Sequence, residues 1–97
     1  MRLFVLRGEI LDYLRLIGDR TVDELEIIHV FYQEYRDTHI KDALFYLSDK
    51  GYIDKKEISL NNHRYKKKTT YRITAKGIDL LDGFINDTGV AIPDEKN

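Results

Sequence analysis

The chain contains no cysteine, which excludes disulfides and thiolate metal sites outright. It also lacks any apolar run near the roughly 20 residues of a membrane-crossing helix. The opening Met1-Arg-Leu-Phe-Val-Leu is apolar, but Arg7, Glu9 and Asp12 put charge directly after it, so it fails the pattern of a signal peptide. A cytoplasmic protein without membrane partners is expected. There is no internal repeat, no low-complexity segment and no phosphate-cradling glycine loop. No nucleophile has an obvious base, and no carboxylates stand in a recognisable pair. His29, His39 and His63 fit the spacing of no compact metal site. Neither an enzyme, a cofactor nor a metal centre is expected.

What is present is enough for one folded unit. Ninety-seven residues, 42% of them hydrophobic, can close a single modest core but not two. Residues 1–86 are expected to form that domain, with 87–97 as an irregular tail carrying Gly89, Pro93 and mixed charges.

Along the chain, Leu3, Leu6, Ile10, Leu14 and Ile17 keep helical spacing and predict a first helix that ends at Gly18-Asp19. Phe4, Val5, Leu11, Tyr13 and Leu16 make it apolar on further faces, as in a helix covered from two sides, and a second subunit is the expected second cover. Thr21-Val-Asp-Glu24 has capping-box spacing and predicts a second helix from Val22 to about Gln33. A third helix should start at Asp37 or Thr38, bury Ile40, Ala43, Leu44 and Leu47, and stop at a left-handed Gly51. Tyr52 to Leu60 and Tyr65 to Thr74 read as two strands, with Asn61-Asn62-His63 as their turn. Thr74 can cap a last helix from Ala75 to about Ile85, with Leu80 and Phe84 as a second apolar stripe. The class expected is mainly α with a small antiparallel β-hairpin.

Charge is unevenly distributed. From Ile58 to Ile78 there are six basic residues, Arg64, Lys66, Lys67, Lys68, Arg72 and Lys76, and no acidic one. The rest of the chain holds ten basic residues against seventeen acidic ones. An acid-free cationic hairpin suits contact with phosphates, although lysines on an exposed edge also guard against aggregation.

Leu44-Phe-Tyr-Leu-Ser-Asp-Lys-Gly-Tyr-Ile53, followed by Tyr71-Arg-Ile-Thr-Ala-Lys-Gly-Ile-Asp-Leu-Leu81, resembles the winged helix-turn-helix transcription regulators of the PadR and MarR kind. The resemblance covers roughly residues 8–85. It implies a homodimer, joined through the first and last helices, that binds double-stranded DNA. The helix 37–51 would enter the major groove and the wing 58–74 would lie on the backbone. On this reading Arg36, Thr38, His39 and Lys41 face the bases, because the first turn of such a helix is presented to base edges. Asn61, Asn62, His63, Arg64, Lys66, Lys67 and Lys68 lie along the wing. One departure stands out: the outward face of the third helix carries Thr38, Asp42, Phe45 and Asp49, where two carboxylates would repel phosphates. That face leaves an alternative reading, a winged-helix protein-protein interaction module with no DNA role.

Overall fold

The computed structural model describes residues 3–60 and 67–93. Among them run helix α1 (Leu3–Ile17), strand β1 (Val22–Asp23), helices α2 (Glu24–Phe31) and α3 (Asp37–Asp49), strands β2 (Ile53–Ser59) and β3 (Lys67–Ile73), and helix α4 (Ala75–Leu81). The strands form one antiparallel sheet in the order β1-β3-β2. The described chain is thus a small domain of four helices and a three-stranded sheet.

The inward stripe of α3 forms as its spacing predicts, with Ile40, Ala43, Leu44 and Leu47 all buried. These side chains meet Leu6, Ile10, Leu11 and Leu14 of α1, and the core is completed by Val22, Ile27, Tyr52, Ile53, Tyr71, Ile73, Leu80, Leu81 and Val90. Gly51 has φ +84° and turns the chain from α3 towards β2. The Thr74 hydroxyl accepts the Gly77 amide at 3.1 Å and donates to the Gly51 carbonyl at 2.7 Å, so one side chain starts α4 and ties it to the end of α3.

Several boundaries differ from the sequence expectation. Val22 does not open α2. It is fully buried and extended opposite Tyr71, while Asp23 lies opposite Thr70, so these two residues add a third strand to the expected hairpin. Burying Val22 in a sheet outweighs one more helical residue at that position. The cap of α2 is therefore Asp23, whose Oδ1 accepts the Leu25 amide at 3.0 Å, and not Thr21. Glu24, freed from the capping box, accepts the Tyr71 hydroxyl at 2.8 Å. Residue Arg36 occupies the cap position of α3 and makes no side-chain cap bond; Asp37 accepts only the adjacent Thr38 amide, at 2.9 Å. α2 ends at Phe31 instead of Gln33, and α4 ends at Leu81 instead of Ile85. Gly83, at φ +85°, breaks the helical path there and leaves Phe84 78% exposed.

Residues 87–93 hold no helix or strand, yet they pack on the domain: Val90 is buried, and the Ala91 amide donates to the Phe4 carbonyl at 2.9 Å. Around Phe4 and Gly8, α1 is thus covered by its own chain.

Candidate functional site

The two features that composition singles out are adjacent in sequence and joined by the Gly51 turn. α3 is amphipathic because its apolar residues recur every three or four positions, which leaves Arg36, Thr38, Lys41, Asp42, Phe45 and Asp49 exposed. Arg36, Thr38 and Lys41 are therefore accessible at the beginning of the helix. His39 is only half-exposed, and its Nδ1 is buried without a hydrogen-bond partner in the structure. Two turns further along, Phe45 is 71% exposed between Asp42 and Asp49. Arg36 and Asp37 also border an open apolar groove of about 520 Å³, lined chiefly by Leu25, Ile28, Tyr32 and Tyr35. His29 is exposed there, with its ring centroid 5.6 Å from that of Tyr32.

Register decides which cations of the hairpin share a face. Lys56 stands opposite Thr70, Ile58 opposite Lys68, and Asp54 opposite Arg72. Side chains alternate along a strand, so Lys56, Lys68 and Arg72 share one face of the sheet. Lys55 and Lys67 belong to the other face, where Ile53, Tyr71 and Ile73 are buried at the root and the lysines emerge towards solvent. Lys55 and Lys56 do not stand out in the sequence because Asp54 and Glu57 flank them. Antiparallel pairing brings Lys56 diagonally across from Lys68 on one face, whereas Lys55 and Lys67 stand apart on the other with Glu57 between them.

Two cations of the acid-free stretch have local partners. Arg72 pairs with Asp54 at 3.3 Å, and Lys76 donates to the Lys50 carbonyl at 3.0 Å at the end of α3. The exposed lysines of the described hairpin are thus Lys55, Lys56, Lys67 and Lys68. Asn61, Asn62, His63, Arg64 and Lys66 lie outside the described residues. Among the described residues, no three His, Asp or Glu side chains are grouped to hold a metal ion. No helix there is long and apolar enough to cross a membrane.

Buried tyrosines anchor the root of the hairpin. Burial, reinforced by its bond to Asp87, pushes the Tyr52 hydroxyl up to about 12. Burial and the bond to Glu24 raise Tyr71 as well. Each raised value contributes stability that is full below the unfolded value of 10 and is lost as pH rises through the folded one. Urea denaturation at successive pH values should therefore show stability falling from about pH 10 upward, by up to about tenfold in the unfolding constant per pH unit for each of these two tyrosines. A Tyr71→Phe variant should show a shallower fall. An equal slope would mean that the Tyr71 hydroxyl titrates in the folded chain as it does in the unfolded one.

Comparison of the chain with protein-family models, curated proteins and solved structures finds no match.

Proposed function

We propose that the chain is a winged helix-turn-helix DNA-binding protein acting as a small dimeric transcription regulator. The observation that carries this reading is the β2–β3 hairpin directly after α3, with Lys55, Lys56, Lys67 and Lys68 all directed into solvent. Lysines on a protruding hairpin displace the counterions condensed on DNA and gain affinity without reading sequence. The exposed Arg36, Thr38 and Lys41 supply groups for base edges in the major groove, with His39 beside them. In the sequence, Arg64 and Lys66 extend the cationic run, and Asn61, Asn62 and His63 precede them between the segments of β2 and β3. The element order, with a short β1 closing the sheet beside β3, suits a winged helix.

For the dimer, Leu16 of α1 and Phe84 beyond α4 are each 78% exposed, and they offer apolar surface for a second copy. A two-fold dimer on DNA prefers half-sites about 34 Å, or a multiple of that, apart.

Fluorescence anisotropy with a random-sequence duplex across a salt series tests the reading. Binding should weaken steeply with salt, with a slope near roughly −3.6 in log K against log salt if four phosphates are neutralised. Absence of binding at the lowest salt overturns it.

A second reading has its own observation. Phe45, exposed on α3 between Asp42 and Asp49, suits a protein partner better than DNA, since an aromatic flanked by carboxylates repels phosphates and can anchor in a pocket. In that case the chain is an interaction module, and Phe45→Ala removes its partner.

A further inference from the structure

Asp87 comes after the last helix, in a segment without regular structure, yet its side chain is only 9% exposed and receives donors from three directions. The Tyr52 hydroxyl donates to it at 2.7 Å and the Tyr46 hydroxyl at 3.3 Å. The Gly89 amide closes a tight turn onto it at 2.8 Å, and Lys50 Nζ stands 3.8 Å away. Tyr46 and Lys50 belong to the C-terminal half of α3 and its cap, whereas Tyr52 belongs to the junction with β2. One carboxylate thus holds both sides of the Gly51 turn.

Two more residues fasten the same segment to α1. Arg7 donates to the Gly89 carbonyl at 3.1 Å, with its guanidinium 3.7 Å from the centroid of the Tyr46 ring. The Ala91 amide bonds to the Phe4 carbonyl, and Val90 is buried. Close approach depends on two glycines: a Cβ on Gly8 would collide with the Ala91 carbonyl, and one on Gly89 with the Tyr46 hydroxyl.

We infer that residues 87–91 are a detachable latch, with the Asp87 carboxylate as its catch, that locks α3 and the root of the hairpin to α1. The segment adds no strand to the sheet and no helix to the bundle, so side-chain contacts and isolated amide bonds hold it without a hydrogen-bonded ladder. Such segments open locally at lower free energy than the core. Closed, the latch fixes the Tyr46 and Tyr52 side chains on either side of the Gly51 turn. Open, it frees Tyr46, Lys50 and Tyr52 together and uncovers α1 around Gly8. The latch is a matter of packing and forms whether or not the partner is DNA.

Amide hydrogen exchange on the full chain tests it. In the wild type, the Ala91 amide should exchange at least about tenfold faster than the interior amides of α1, through an opening that is insensitive to low concentrations of urea. Asp87→Ala should accelerate Ala91 by roughly a further tenfold or more and leave the α1 interior unchanged. Gly8→Ala, which removes the seat of the Ala91 carbonyl and keeps the catch, should likewise accelerate Ala91 without accelerating the α1 interior. Exchange of wild-type Ala91 at the rate and urea sensitivity of the α1 interior overturns the inference, because the segment would then open only with the whole domain; this measurement needs no variant to fold. Equal acceleration throughout the chain in both variants overturns it too.

Discussion

Gly77→Ala should lower the unfolding free energy by about 2–3 kcal/mol, the usual scale of an overpacked core. Gly77 is buried within α4. A Cβ there would collide with the Tyr52 carbonyl, come within 2.9 Å of Ile73 Cγ1 and reach 3.2 Å from Leu11 Cδ1. Helix propensity acts in the opposite direction, since alanine is favoured over glycine by about 0.8–1 kcal/mol in a helix interior. Packing should win because α4 has little freedom to retreat. Its first turn is pinned by Thr74, which bonds both Gly77 and the Gly51 carbonyl, and the Tyr52 carbonyl already accepts the Thr74 amide at 3.0 Å. For a domain of this size such a loss is roughly a 10–20 °C drop in Tm. Urea and thermal denaturation by circular dichroism measure it. A variant more stable than wild type would show that α4 slides outward at no cost.

Reversing Lys55, Lys56, Lys67 and Lys68 to glutamate should weaken duplex binding at about 100 mM salt by at least roughly a hundredfold and flatten its salt dependence. All four side chains are exposed, so the fold should survive, which circular dichroism checks. The losses add: each lysine removed forfeits a released counterion, and each glutamate gained repels a phosphate. Arg36→Ala supplies the contrast. It should leave random-duplex binding within a few fold and act on selected sequences, since base contacts carry the specificity. Unchanged affinity and slope in the fourfold variant would take the hairpin out of the nucleic-acid interface. Interest would then move to Phe45.

Much of this molecule is dictated by short-range pattern. The buried stripe of α3, the left-handed Gly51 and the Thr74 cap are legible because each is decided by residues within a turn or two. The acid-free run from Ile58 to Ile78 is a property of composition and needs no fold to be seen. What escaped the sequence lies in contacts between distant segments. A two-residue strand has no periodicity, so β1 shows only when Val22 meets Tyr71. Lys56 looks neutralised by its neighbour Glu57 until the register sets it diagonally across from Lys68 on one face of the hairpin, while Arg72 turns to Asp54. Asp87 looks like one more charge in a polar tail, and only the approach of Tyr46 and Tyr52 makes it a catch. The sequence by itself determined the local elements and where positive charge concentrates, because spacing and composition are local. Tertiary structure alone decided which cations are paired, what covers the start of α1 and how the tail is held on the domain, because each depends on a partner 18 to 87 residues away.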